Sequence, residues 1–146
     1  MVPPALLATR DWPTIAAAYG AAVRRAVAGC PSGTVVVQVR EKDLDGGPLL
    51  QLVRAAQPFA PVSVNDRLDV ALVAGAWGVH LPERGLPLDI ARALAAAARA
   101  SRPELTLGVS RHAPPGDTAA DLVHLGPIWP TPSKPSATPL GEAALA

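Results

Sequence analysis

Four short polar clusters hold the residue types in this sequence that could do chemistry. VQVREKD (residues 37–43) ends an apolar run with Gln38, Arg40, Glu41, Lys42 and Asp43. A planar guanidinium beside an ammonium suits a polyphosphate or a carboxylate, because both donors carry charge and several N–H groups. The same residues also describe a solvated turn closed by an internal Arg40–Glu41 pair. VSVNDRLDVAL (62–72) opens a helical stretch on Asn65 and Asp66. Both types are good helix N-caps. A carboxylate there can equally hold Mg²⁺, which shares its shell with phosphate oxygens. GVSRHAP (108–114) places Ser110 and His112 just past another apolar run. His112 is either structural or, titrating near neutrality, a proton carrier. GPIWPTPSKPSATPLG (126–141) contains five prolines, four hydroxyl side chains and one lysine. Prolines 127, 130, 132 and 135 fix successive φ angles. They pre-organise Thr131, Ser133 and Lys134 as donors, which lowers the ordering cost of binding. An ordinary proline-rich surface loop is the competing description.

Elements of two periods must position these clusters. Short apolar runs recur at 5–9, 34–39, 61–64, 77–81, 105–109 and 122–126. Often β-branched and not alternating with polar residues, they read as strands buried on both faces, hence parallel. Helical stretches lie between them. Residues 14–29 end in basic side chains and Gly29, 48–57 begin with Pro48, and 66–76 are short. Residues 87–100 set Asp89, Arg92 and Arg99 on one side and Ile90, Ala93, Leu94 and Ala97 on another. The connection at 111–121 has room for at most one helical turn. Strand–helix alternation means an α/β fold with right-handed crossovers. No GxGxxG follows the first run, which argues against a dinucleotide fold. A polar cluster after every strand favours a TIM-type (β/α)₈ barrel, which gathers such clusters on one rim. About six parallel strands are expected, with strands seven and eight missing and residues 1–146 forming one domain.

Composition narrows the function. With 146 residues and a net charge of +1, the chain has no electrostatic footprint for nucleic acid or an anionic membrane. No apolar run approaches a membrane span, and the N-terminus lacks a basic signal-peptide region. A soluble, cytoplasmic protein is expected. Cys30 is the only cysteine and reads as buried filler beside Pro31. His80 and His124 lie inside strand runs and read as packed or hydrogen-bonded. The histidines lack HxxxH spacing, so zinc is not expected. Trp12, Trp77 and Trp129 read as packing residues, with Trp129 close enough to the proline loop to flank a ligand.

VQVREKD, VSVNDRLDVALVAGAWGVHLPE, LTLGVSRH and HLGPIWPTPSKP, in that order, resemble the family of thiamine phosphate synthase and its relative the thiazole tautomerase. The resemblance covers most of residues 34–141 and implies the (β/α)₈ barrel. It implies a transferase that joins hydroxymethylpyrimidine diphosphate to thiazole phosphate, releasing pyrophosphate with Mg²⁺. By motif, Gln38, Arg40, Glu41 and Lys42 would contact the pyrimidine diphosphate, with Asn65 beside them, and Asp66 would bind Mg²⁺. Ser110 and Lys134 would grip the pyrophosphate. Thr131, Pro132 and Ser133 would cradle the thiazole phosphate.

The sequence departs from that pattern in three places. Gly85 stands where the family's GVHxGQxD carries a second metal-binding aspartate, and Glu83 lies two positions earlier. The connection around 113–120 is trimmed by roughly one helical turn. The chain stops at Ala146, before the last two strands, so the edge strands would need a second copy of the chain, or a rearrangement, to cover them. Two further readings follow. One is a metal-free tautomerase with His112 as its acid/base. The other is a non-catalytic remnant that binds a phosphorylated ligand or a partner chain.

Overall fold

The first apolar run is a helix. In the computed structural model, which describes residues 4–98, 104–114, 119–132 and 134–145, α1 spans Pro4–Thr9. Ala and Leu stand near the top of the helix scale, proline is accepted in a first turn, and the only β-branched residue comes last. The strand expected at 5–9 is therefore corrected. Among the described residues the sheet has five strands instead of about six, ordered β1 to β5 along the chain. The chain divides into two compact units, Met1–Val79 and His80–Ala146.

In the first unit, α2 (Trp12–Ala26) starts where the Asp11 carboxylate accepts from the Thr14 N–H at 3.4 Å, with Pro13 in its first turn. It ends in Arg24 and Arg25, which suit a helix C-terminus. Gly29, at φ 82°, closes the turn that follows. Then come β1 (Val37–Val39), α3 (Gly46–Ala56), β2 (Val62–Asn65) and α4 (Leu68–Ala74). β1 and β2 are parallel, pairing Val37 with Val62, Gln38 with Ser63 and Val39 with Val64. Helix α2 buries Ile15, Ala16, Gly20 and Val23, and α3 buries Leu49, Leu52, Val53 and Ala56. The two helices touch at Gly20, where the absence of a side chain permits close approach to Ala55. Val39, Val62 and Val64 complete this core from the sheet.

Strand β3 (Gly78–Leu81) is buried at all four positions, as a doubly covered parallel strand should be. The second unit continues with α5 (Leu88–Ala97), β4 (Thr106–Arg111), β5 (Leu122–Leu125) and a 3₁₀ helix at Glu142–Leu145. β4 and β5 are parallel, with Ser110 beside His124 and Arg111 beside Leu125. Helix α5 buries the small Ala91 and Ala95, leaving Ile90 and Leu94 about half exposed.

Asp121 fastens this unit together. Its carboxylate accepts from the Leu107 N–H at 2.7 Å and from Arg92 at 3.3 Å. The Asp121 N–H returns to the Leu107 carbonyl at 2.9 Å, and Arg92 also donates to the Ala119 carbonyl. One carboxylate thus ties α5 to the start of β5 and to β4. The proline loop closes on itself through Leu140 N–H to the Pro127 carbonyl at 2.9 Å and Gly141 N–H to the Ile128 carbonyl at 3.0 Å.

Two packing expectations are corrected. Cys30 is exposed, because the turn it shares with Pro31 and Gly33 runs over the surface. Trp129 is 61% exposed and packs little, as part of the proline loop. Among the described residues, no helix is long and apolar enough to cross a membrane.

Candidate functional site

In the first unit the motif residues gather where β1 and β2 end. Gln38 Nε2 donates to Asn65 Oδ1 at 3.2 Å, joining residues 27 apart in the chain. Parallel pairing produces this contact, since it brings both strands to their C-terminal ends side by side. Arg40 and Lys42 are exposed in the loop after β1, and neither forms an ion pair among the described residues. The internal Arg40–Glu41 pair is therefore not made. Glu41 instead lines a cavity of about 630 Å³ with Arg10, Trp12, Tyr19, Asp43 and Asp45. Burial, and secondarily the Glu41 charge, push the Tyr19 phenol upward.

Asp66 is unusual in its backbone. Its φ is +65°, and the Arg67 N–H reaches back to the Asn65 carbonyl at 2.8 Å. A three-residue turn of this hand is rare and strained, at a cost of roughly 1–3 kcal/mol. Helix α4 starts one residue later than a cap at Asp66 would require. Arg67 holds the N-cap position without a side-chain cap bond, and it forks onto Asp69 at 2.8 and 2.6 Å. That fork holds the Asp69 carboxyl below its ordinary range. Capping is thus not the task of Asn65 or Asp66. Asn65 accepts from Gln38, and the exposed Asp66 carboxylate accepts no hydrogen bond among the described residues.

The second unit holds a three-membered polar chain. Both Glu83 oxygens are engaged by His112: Oε1 accepts from its backbone N–H at 3.0 Å, and Oε2 lies 2.6 Å from Nδ1. Lys134 Nζ lies 3.1 Å from Nε2 of the same ring. The partners assign the tautomer. A carboxylate accepts, so Nδ1 carries the proton, and an ammonium only donates, so Nε2 offers its lone pair. The backbone N–H of His112 first, and then its ring, hold the Glu83 carboxyl below the usual range. Ser110 Oγ lies 2.8 Å from Nε2 of the buried His80, whose ring stacks at 4.4 Å on that of His124. Lys134 is exposed, and its N–H bonds the Thr131 carbonyl at 3.1 Å within the proline loop. Thr131 and Pro132 lie in that loop too, while Ser133 lies outside the described residues.

The donor set can be tested against Mg²⁺. Among the described residues, no group of three or more His, Cys, Asp or Glu could hold a metal. Gly85 offers no ligand, and Glu83 is occupied by His112. Asp66, whose carboxylate accepts no hydrogen bond among the described residues and feels the Arg67 charge, remains in the predicted position. Mg²⁺ commonly rests on one or two carboxylates, with phosphate oxygens and waters completing its shell. The residues therefore fit an ion carried in on a diphosphate, and not one caged by protein alone.

Residues 8–146 match a family model described as thiamine monophosphate synthase. The chain belongs to the thiamine monophosphate synthase family. A Geobacter sulfurreducens protein provisionally named a thiamine-phosphate synthase is 44% identical over 124 residues, covering 78% of this chain and 54% of the relative. The Gloeobacter violaceus thiamine-phosphate synthase is 38% identical, covering 75% of this chain and 33% of that protein. For the Mycobacterium avium thiamine-phosphate synthase the values are 36%, 80% and 58%. The chain thus spans between a third and three fifths of the length of these relatives. Among solved structures, a thiamine phosphate pyrophosphorylase from Pyrococcus furiosus is similar with a TM-score of 0.56 and 25% identity, covering 92% of this chain and 61% of that one.

Within this family member, Gln38 and Asn65 meet as neighbours, and so do His112 and Lys134. Glu41 has a separate environment on the cavity that Tyr19 lines. The pairing of Glu83 with His112 was not legible in the sequence, because 29 residues separate them and no motif links them.

Proposed function

We propose that the chain is a thiamine phosphate synthase-type transferase, joining hydroxymethylpyrimidine diphosphate to thiazole phosphate with release of pyrophosphate. The observation that carries this is the Gln38–Asn65 hydrogen bond at the ends of two parallel strands. It sets two motif residues beside the strained turn that carries the Asp66 carboxylate. In the first unit, Gln38 and Asn65 orient the pyrimidine, and Arg40 and Lys42 hold its diphosphate. In the second, Ser110 and Lys134 take the departing pyrophosphate, while Thr131, Pro132 and Ser133 seat the thiazole phosphate.

The reaction breaks the bond between the pyrimidine methylene carbon and the diphosphate oxygen, and the electron pair leaves on that oxygen. The carbon then bonds to the thiazole ring. Charge building on the leaving group is the main obstacle, so positioned cations are what the reaction needs. Arg40 and Lys42 are the candidates in the first unit, and Lys134 is the candidate in the second. Mg²⁺, held by Asp66 and the diphosphate itself, would supply further neutralisation of those oxygens.

This reading includes a partial barrel of the (β/α)₈ type acting as one domain in a soluble, cytoplasmic enzyme. It also includes self-association of the chain, and light scattering, which reads molar mass, tests that part. Calorimetry with hydroxymethylpyrimidine diphosphate and Mg²⁺ tests the assignment. Arg40→Ala removes a charge-assisted hydrogen bond, typically about 1.5–3 kcal/mol, so affinity should fall roughly 10- to 100-fold. Unchanged affinity in a folded variant would remove Arg40 from the site.

A further inference from the structure

We propose that Glu83 is a positioning residue for Lys134 and acts through the tautomer of His112. The proposal rests on the reading of Lys134 as a pyrophosphate donor. Three distances carry it: Glu83 to the His112 backbone N–H at 3.0 Å, Glu83 to Nδ1 at 2.6 Å, and Nε2 to Lys134 Nζ at 3.1 Å. A lysine side chain has several rotatable bonds, and an unanchored Lys134 would lose their rotamer freedom on meeting an anion. The lone pair on Nε2 takes one of its three N–H groups and fixes the ammonium, leaving two for phosphate oxygens. That lone pair exists only while the neutral ring keeps its proton on Nδ1, and the Glu83 carboxylate keeps it there.

The amide variant Glu83→Gln exposes this dependence. A carboxylate accepts at both oxygens, whereas glutamine has one accepting oxygen and one donating NH₂. The backbone N–H of His112 can only donate, so it claims the oxygen. The NH₂ then faces Nδ1, which must offer a lone pair, and the ring proton moves to Nε2. There it points at the Lys134 ammonium, donor against donor, and the lysine is released. Arg111, whose charge also acts on Glu83, stays in place and does not change this ordering of donors. Glu83 is partly exposed, with 35% of its side chain accessible, so the variant should fold.

The experiment uses the whole chain and inorganic pyrophosphate as the probe. Ring ¹⁵N shifts of His112 read the tautomer, and calorimetry reads the affinity, for wild type, Glu83→Gln, Lys134→Ala and the double variant. The expected results are a switch from the Nδ1–H to the Nε2–H form in Glu83→Gln and a three- to tenfold weaker affinity. No further loss should follow when Glu83→Gln is added to Lys134→Ala. If Lys134→Ala weakens binding while Glu83→Gln changes neither tautomer nor affinity, the relay is wrong and the reading of Lys134 stands. If Lys134→Ala leaves pyrophosphate affinity untouched, both are wrong.

Discussion

Replacing Gly20 with alanine puts a methyl group where α2 and α3 already touch. An ideal Cβ there lies 2.7 Å from the Ala55 carbonyl oxygen, 3.4 Å from its carbon and 3.5 Å from its Cβ. The nearest atom is backbone and cannot rotate away, so one helix must move. Its neighbours Leu52, Val53 and Ala56 are buried and would shift with it. Overpacking of this kind costs about 1–3 kcal/mol, whereas exchanging Gly for Ala inside a helix returns about 0.8–1.0 kcal/mol. The net expectation is a loss of about 1 kcal/mol. With a urea dependence of about 2 kcal/mol per molar, the unfolding midpoint should fall by ~0.5 M. Urea unfolding followed by circular dichroism measures this. Ala21→Gly, on the exposed side of α2, reports the propensity term alone and should cost about 1 kcal/mol. A Gly20→Ala protein as stable as wild type, or more so, would refute the close packing of the two helices.

Asp121→Ala should destabilise the chain by about 1–3 kcal/mol, since it leaves the Leu107 N–H without its carboxylate partner and frees Arg92, and chemical denaturation measures the loss. Asp66→Asn removes the carboxylate, so the Mg²⁺ concentration needed for half-maximal turnover should rise at least several-fold while the fold, read by circular dichroism, is retained. An unchanged requirement would remove Asp66 from the metal site. Glu83 and Asp69 both have depressed carboxyls in the folded chain, so their contribution is complete above the ordinary values, 4.5 and 3.8. It is lost as pH falls through and below them. The part of the stability that these two carboxylates supply should therefore be constant above about pH 5 and decline toward pH 3, and the acid-side slope should shrink in Glu83→Gln.

Periodicity made the later elements legible. The runs at 61–64, 77–81, 105–109 and 122–126 are strands within one or two residues, because apolar runs this short, bounded by turn residues, have strand length and not helix length. The run at 5–9 failed for a physical reason: Ala and Leu suit either element, and only context decides. On α5 the amphipathic pattern singled out Ile90 and Leu94, yet the packed stripe is Ala91 and Ala95. Small residues allow an approach that the larger ones would block. In the candidate site, the motifs singled out Gln38, Asn65, Asp66, His112 and Lys134, and the structure brings Gln38 to Asn65 and Lys134 to His112. The partners were not legible, because hydrogen bonds across 27 or 29 residues depend on register and loop path. The strained turn at Asp66 was equally hidden, since a sequence does not display φ.

The most direct measurement is a single-turnover reaction of the folded chain with hydroxymethylpyrimidine diphosphate, thiazole phosphate and Mg²⁺, with pyrophosphate and thiamine phosphate quantified together. Both products should form in equal amounts, at a rate that falls in Arg40→Ala and Lys134→Ala. Folded protein that binds the diphosphate and forms neither product would contradict the proposed activity.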